Sequence, residues 1–212
     1  MSPSTPGWTL NQLTDDLLKK EFDLCRVTGT THRIFTESGL GHIAPYIHPD
    51  LDLWRDSLRH GIEAKVEDSS LILHGGIDDV WFDRNAEELI IVDFKSQASS
   101  YPVTTEHYLA GVYHQSYKVQ LDVYAYLFTK MGFAVSPIGY FYVCNADRSA
   151  SSFDGTMVFE ETLVPYKWDI EWIDGELREM VKTLNSYQVP EPRSSCENCA
   201  YARQRALPES SI

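Results

Sequence analysis

The sequence has few basic residues and no long apolar run. Its 212 residues include 18 Lys or Arg against 31 Asp or Glu, which gives a formal net charge of −13. Because proteins that coat duplex nucleic acid rely on clustered Lys and Arg, this balance argues against that class. No stretch approaches the length of a membrane span, and the opening MSPSTPGW lacks a basic region followed by an apolar one. We therefore expect neither a transmembrane helix nor a signal peptide.

Cysteine is scarce as well. The four cysteines, at positions 25, 144, 196 and 199, are too few and too scattered for a secreted disulfide scaffold, so we expect a reducing, cytoplasmic setting. The sequence also lacks a G-x-S-x-G elbow, a P-loop and a dinucleotide fingerprint. These absences argue against the enzyme classes that depend on those motifs.

The composition otherwise suits a folded globule. Hydrophobic residues make up 43% of the chain and aromatic residues 12%, which is enough to build a core. The sequence contains no internal repeat and no clear linker, and its length suits one domain. We predict a single domain over 1–212, with a flexible N-terminus at 1–8 and a cysteine-containing tail at 190–212.

Hydrophobic periodicity divides the chain into helices and strands. Leucines and Phe22 predict an amphipathic helix at 9–25, and 28–50 is predicted to be mostly loop because it is rich in Gly, Pro, Thr and His. Further elements are predicted as helices at 52–61, 106–131 and 169–187, and as strands at 62–67, 70–82, 88–96, 134–144 and 155–164. This order predicts an α/β fold with a mixed central sheet flanked by helices.

The most informative stretch follows an apolar, β-branched run at 89–92. Asp93-Phe94-Lys95 stands at the end of this predicted buried strand, where alternation places Asp93 and Lys95 on one face. Charges there are costly to desolvate unless they are used. The preceding predicted strand carries Gly75-Gly76-Ile77-Asp78, so two carboxylates on antiparallel neighbours can share a divalent cation. The alternative is a hairpin with ordinary surface charges.

The predicted long helix offers a second group of candidates. Gln120 and Tyr124 are four residues apart and share one helix face, from which they can contact a substrate backbone or an attacking water. The alternative is that the tyrosines of this helix are core aromatics whose hydroxyl groups reach water.

In this order, the motifs G-G-I-D at 75–78, D-F-K at 93–95 and Q-L-D-V-Y at 120–124 resemble the PD-(D/E)XK nuclease superfamily. They are most similar to its RecB-like branch, which includes the CRISPR-associated adaptation nucleases. The resemblance covers roughly residues 9 to 201. It implies a restriction-endonuclease-like core that hydrolyses nucleic-acid phosphodiesters with Mg²⁺ or Mn²⁺.

The resemblance also implies residue roles. Asp78, Asp93 and the backbone carbonyl of Phe94 would hold the metal. Lys95 would position or deprotonate the water and stabilise the transition state, while Gln120 and Tyr124 would orient the strand or the lysine.

Two positions depart from the branch. The first helix often supplies a histidine metal ligand, and here Asp15 takes its place; alternatively, Asp15 is a charge favoured by the helix dipole. Many relatives also bind an iron–sulfur cluster through four cysteines. This chain has Cys25, Cys196 and Cys199, but Arg205 stands at the expected third tail position. We therefore expect no intact cluster; a zinc site or reduced thiols are the alternatives.

The resulting prediction is a metal-dependent deoxyribonuclease that acts on DNA ends or single strands, with Tyr101, Tyr108 and Tyr113 as candidates for base stacking. Two alternatives remain open. One is an inactive nucleic-acid or protein binding module that retains the nuclease fold, and the other is a hydrolase of small phosphate esters. The sequence predicts no membrane association and does not indicate an oligomeric state.

Overall fold

The computed structural model describes residues 9–194 and 196–206. The chain forms two compact units, Met1–Ile173 and Asp174–Ile212. The predicted flexible segment at 1–8, together with residues 195 and 207–212 of the predicted tail, lies outside the described residues. Every candidate catalytic residue and every candidate ligand of Mg²⁺ or Mn²⁺ belongs to the first unit, whereas Cys196 and Cys199 belong to the second. The single domain over 1–212 stays a prediction.

The first unit alternates helices and strands. In chain order its elements are α1 (Thr9–Thr28), α2 (Arg33–Glu37), β1 (Ile43–Pro45), α3 (Leu51–Arg55), β2 (Ile62–Lys65), β3 (Ile72–Gly75), β4 (Asp79–Asp83), β5 (Glu88–Gln97), α4 (Thr105–Ala110), a 3₁₀ turn (Val112–His114), α5 (Gln115–Lys130), β6 (Ile138–Ala146) and β7 (Phe159–Lys167). The second unit contains α6 (Ile173–Leu184), which begins at the boundary, and α7 (Glu197–Ala206). Each described helix is too short or too polar to cross a lipid bilayer.

The main sheet has five strands in the order β1-β4-β5-β6-β7. β5 runs antiparallel to β4 and parallel to β6, whereas β6 and β7 are antiparallel. The sheet is therefore mixed, and β5 lies at its centre, where the run at 89–92 is buried. A central strand covered on both faces needs such a continuous apolar run. The predicted α/β fold with a mixed sheet flanked by helices is confirmed.

Helices cover the two faces of this sheet. Leu18 and Phe22 of α1 pack with Trp81, Val92 and Tyr142 in one buried cluster. Phe22 is fully buried, so its truncation to alanine is expected to cost about 3–5 kcal/mol. On the other face α5 approaches closely.

The close approach of α5 depends on Gly139 in β6. A Cβ atom at Gly139 would lie 2.7 Å from Leu121 Cδ2 and 2.9 Å from the Ile91 carbonyl oxygen. Any larger residue there would push the helix away from β5 and β6.

Several predicted elements differ from the observed ones. The predicted strand at 70–82 is two strands in different sheets: β3 pairs with β2, and β4 joins the main sheet. The region 28–50, predicted to be mostly loop, contains α2 and β1. The predicted helix at 52–61 ends at Arg55, and α7 was not predicted at all. Short elements of this kind are stabilised by tertiary contacts, which sequence periodicity does not report.

The predicted helix at 106–131 is interrupted at Gly111. His114 Nδ1 donates a hydrogen bond to the Tyr108 carbonyl oxygen, 2.7 Å away, and a Cβ at Gly111 would lie 2.7 Å from the same nitrogen. The histidine ring therefore occupies the space beside the glycine, and the chain turns before α5 begins. The same turn buries Tyr108, whose ring stacks on His114.

The apolar face predicted for α1 is only partly correct. Leu18 and Phe22 are buried, whereas Leu10, Leu13, Leu17 and Leu24 are exposed. The helix therefore has two apolar stripes rather than one, and only the stripe that includes Leu18 and Phe22 packs on the sheet.

Candidate active site

Asp78 and Asp93 lie opposite each other across β4 and β5. Asp79 pairs with Val92 in the antiparallel register, so the preceding residue, Asp78, faces Asp93. Asp78 Oδ2 accepts a hydrogen bond of 2.7 Å from the Phe94 backbone N–H. This bond holds the Asp78 carboxylate close enough to Asp93 to raise the pKa of the Asp93 carboxyl group.

The Asp93 side chain is fully buried. Burial raises the pKa of this carboxyl group; the ammonium of Lys95 acts to lower it, and the Asp78 carboxylate raises it further. No hydrogen-bond donor in the described part of the chain reaches Asp93 Oδ1. A buried carboxylate oxygen without a donor is costly, and a bound cation would remove that cost.

Lys95 forms an ion pair with Asp93 Oδ2, as expected for residues two apart on one strand. Its ammonium nitrogen also lies 4.8 Å from the centre of the Tyr117 ring. Contact with an aromatic face stabilises a cation. The Tyr117 ring, in the first turn of α5, therefore helps to hold the Lys95 side chain beside the carboxylates.

Gln120 and Tyr124 face the same group from α5. Gln120 Nε2 donates a hydrogen bond of 2.7 Å to the Tyr124 hydroxyl oxygen. Burial raises the pKa of Tyr124, and Asp93 and Asp78 contribute in the same direction, so the phenol stays protonated. The neighbouring Gly75 makes room for the Tyr124 ring, because a Cβ there would lie 2.9 Å from Tyr124 Cε1.

α1 brings Asp15 and an unpredicted residue, Lys19, to the same place. Lys19 Nζ lies 2.7 Å from Asp15 Oδ2 and 3.7 Å from Asp78 Oδ1. Burial, followed by the Asp78 carboxylate, raises the pKa of Asp15. Lys19 therefore stands between two of the candidate ligands. The i, i+4 spacing from Asp15 was the sequence signal that could have identified it.

Asp79 belongs to a different cluster, although it adjoins Asp78 in the chain. Its buried carboxylate forms ion pairs with Arg26 and Arg55, and both arginines also contact Asp23. Asp79 pairs with Val92, so its side chain lies on the face of the sheet that α1 covers. It ties α1 and α3 to β4 and does not face Asp93.

A divalent cation at this place needs several oxygen ligands. Within residues 9–194 and 196–206, no group of three or more His, Cys, Asp or Glu side chains could hold a metal ion. Asp78 and Asp93 nevertheless converge, and buried oxygens of Asp93 and Asp15 lack donors among the residues that the structure describes. Hard cations take carboxylate and carbonyl oxygens. The carboxylates of Asp78 and Asp93 are oxygen donors of this kind, so their chemistry fits a hard cation.

An open cleft of about 660 Å³ leads to this group and is lined by Asn11, Asp15, Lys95 and Tyr117, among others. Of the tyrosines predicted to stack on bases, Tyr101 and Tyr113 are exposed. Tyr108 is buried, so the prediction of base stacking at that residue is wrong.

The cysteines do not form disulfides in the structure. Cys196 Sγ accepts a hydrogen bond of 3.4 Å from the Cys199 backbone N–H at the start of α7. Cys144 is buried in β6, and burial raises the pKa of its thiol to about 12.

Comparison with models of protein families shows which family the chain belongs to. The model of the PD-(D/E)XK nuclease superfamily matches residues 11–204. The chain belongs to this superfamily. Comparison with curated proteins and with solved structures gave no match. Membership confirms the superfamily predicted from the motifs and the restriction-endonuclease-like fold. PD-(D/E)XK nucleases generally use Mg²⁺ or similar divalent metals on nucleic acid.

Proposed function

We propose that the protein is a Mg²⁺- or Mn²⁺-dependent deoxyribonuclease of the RecB-like branch. The observation that carries this proposal is the buried carboxylate of Asp93, held beside Asp78 and Lys95 with one oxygen that no donor in the described ranges reaches. Among the described residues Asp79 Oδ2 also lacks a donor, but Asp79 pairs with Arg26 and Arg55, whereas Asp93 lies beside a second candidate ligand, Asp78. Asp78, Asp93 and the Phe94 carbonyl would hold the cation, with Asp15 reaching it from α1.

The bound cation would polarise a phosphate oxygen and lower the pKa of an attacking water. The remaining chemistry belongs to this chain's residues. Lys95 forms an ion pair with Asp93 and lies over the Tyr117 ring, which suits it to orient the water and to stabilise negative charge developing on the phosphate. The Gln120–Tyr124 pair presents a hydroxyl group on the α5 side, where it can orient the strand.

The proposed substrate is a DNA end or a single strand. The net charge of −13 disfavours extensive contact with duplex phosphates. Exposed aromatic side chains can replace part of that attraction by stacking on unpaired bases. Tyr113 and Tyr101 are the exposed candidates in the first unit.

The test is incubation of the purified protein with end-labelled single-stranded DNA, duplex DNA and RNA of the same sequence, in Mg²⁺, Mn²⁺ or EDTA. We expect metal-dependent cleavage of single-stranded DNA by the wild type, with none in EDTA. Asp93→Asn should abolish it. Asp52→Asn, the same change at a side chain that is 95% exposed, should retain it. Full activity in the Asp93 variant, or no cleavage with any metal, would contradict the proposal.

The alternative is a binding module that retains the nuclease fold. The absence of a three-ligand set in the described ranges, with Lys19 close to Asp15 and Asp78, favours it. Titration calorimetry with Mn²⁺ distinguishes the two functions, because an inactive module of this kind should give no binding heat.

A further inference from the structure

α1 presents an exposed apolar stripe on the side away from the sheet. Leu10, Leu13, Leu17, Leu24 and Val27 are between 49 and 86% exposed. We call these five residues, together with the exposed Lys20, the α1 seam. The seam lies in the first unit and is separate from the candidate active site, because Asp15 and Lys19 project from the other side of the helix with Leu18 and Phe22.

The spacing of the seam indicates what kind of surface fits it. Positions 10, 13, 17, 20, 24 and 27 are separated by three, four, three, four and three residues. This alternation is the 3.5-residue repeat of a helix that packs along a second helix. A helix that packs on a sheet needs one apolar stripe with a 3.6-residue period. In α1 Leu18 and Phe22 already form that contact with the sheet. At 1.5 Å per residue the seam is about 27 Å long.

The residues beside the seam indicate the charge of the partner. One flank carries Asp16 and Asp23, and the other carries Thr14, Glu21 and Thr28. Every charged flanking residue is acidic. Arg26 and Arg55 offset Asp23 in part, and His32 and Arg33 contact Glu21. None of these four residues lies in a flanking position.

A second copy of this chain is therefore a poor partner. In a parallel pair Asp16 would face Glu21 of the other helix, and in an antiparallel pair Asp16 would face Asp23; like charges at these positions oppose pairing. A chain charge of −13 adds repulsion. The acidic flanks equally disfavour a membrane surface of anionic lipids. Lysine at seam position 20 favours a partner with an acidic residue opposite it.

We propose that the α1 seam binds an amphipathic helix of a different protein, with apolar residues on its contact face, basic residues on both flanks and one acidic residue opposite Lys20. This surface is independent of the proposed catalysis. It gives an acidic nuclease-fold protein a docking site that leaves the cleft beside Lys95 open.

The probes are two synthetic 24-residue helical peptides with leucine at the contact positions and glutamate opposite Lys20. One peptide carries lysine on its flanks and the other glutamate. Fluorescence anisotropy should show that the full-length protein binds the basic peptide at least about tenfold more tightly, because flanking charges set partner choice. The double variant Leu17→Glu/Leu24→Glu should lose at least about tenfold in affinity.

Leu58→Glu is the matched control, since Leu58 is 92% exposed and lies outside the seam and the site. It should bind as the wild type does. Circular dichroism of each variant reports whether it is folded. Equal binding of both peptides, no binding of the basic peptide, or binding unaffected by the seam variant would overturn the proposal. A wild-type dimer in sedimentation, abolished by the seam variant, would overturn it in favour of self-association. Binding to anionic phospholipid vesicles that the seam variant abolishes would also overturn it.

Discussion

Asp78 and Asp79 are adjacent in the chain but face opposite sides of the sheet, and we predict that their amide variants fail in different ways. Asp78→Asn removes a candidate metal ligand beside Asp93. Asp79→Asn removes the anion that pairs with two buried arginines. Both substitutions preserve shape, so the two variants differ chiefly in where a negative charge is lost.

The stability cost follows from burial. The side chains of Arg26 and Arg55 are 7 and 9% exposed, and the Asp79 side chain is 0% exposed. Removing one partner of a buried ion pair costs about 3–5 kcal/mol. Because Asp23 still contacts both arginines, we expect the lower end, about 3 kcal/mol. For a chain of this size that corresponds to a fall in Tm of about 6–12 °C.

Asp78→Asn should be nearly neutral for stability. The new amide oxygen can still accept the Phe94 backbone N–H, and the loss of charge relieves repulsion with Asp93. We expect its free energy of unfolding to lie within about 1 kcal/mol of the wild-type value. Its affinity for Mn²⁺ and its nuclease activity should be lost, because an amide is a weaker ligand for a hard cation than a carboxylate.

The assay combines thermal unfolding followed by circular dichroism with Mn²⁺ titration calorimetry, performed below the transition of the less stable variant. Asp79→Asn should bind Mn²⁺ and cleave DNA while it remains folded. The reverse result would refute the reasoning: an Asp78 variant that binds Mn²⁺ normally, or a stable Asp79 variant that does not, would mean that the two aspartates have been assigned to the wrong sides.

Two further predictions concern the neighbourhood of the site and the core. Lys19→Met should raise Mn²⁺ affinity by up to about fivefold in calorimetry, because the Lys19 ion pair with Asp15, worth up to about 1 kcal/mol, no longer competes with the cation. Lys20→Met is the control. Weaker binding in the Lys19 variant would contradict this competition. Tyr142→Phe should stabilise the protein by about 1 kcal/mol in urea unfolding, because the buried Tyr142 hydroxyl group has no partner in the described residues. Tyr166→Phe should instead destabilise it by about 1–2 kcal/mol, because this variant loses a hydrogen bond to Asp122. Equal changes in the free energy of unfolding for the two variants would contradict the assignment of one hydroxyl group as unpartnered and the other as hydrogen-bonded.

Several features of the site depend on local sequence alone. The alternation of side chains along a strand places Asp93 and Lys95 together, and the apolar run before them predicts the buried strand that the structure contains at β5. The helical spacing of Gln120 and Tyr124 similarly predicts a shared face, and the structure links the two by a hydrogen bond. These are short-range consequences of backbone geometry, so they can be derived without knowledge of the fold.

Long-range packing decided the rest. Asp122 illustrates this: it lies within the Q-L-D-V-Y motif, yet it accepts hydrogen bonds from Tyr166, the Asp169 backbone and Trp172, residues more than forty positions away. No local pattern reports such partners.

The amino-acid sequence by itself determined the α/β class, the order of the motifs and the strand that carries Asp93 and Lys95, because periodicity and alternation are properties of neighbouring residues. Only the tertiary structure decided that Asp79 pairs with Arg26 and Arg55, that Lys19 enters the site and that the α1 seam stays exposed. Each of these depends on which surfaces of helices and strands meet, and that is settled by the packing of segments distant in the chain.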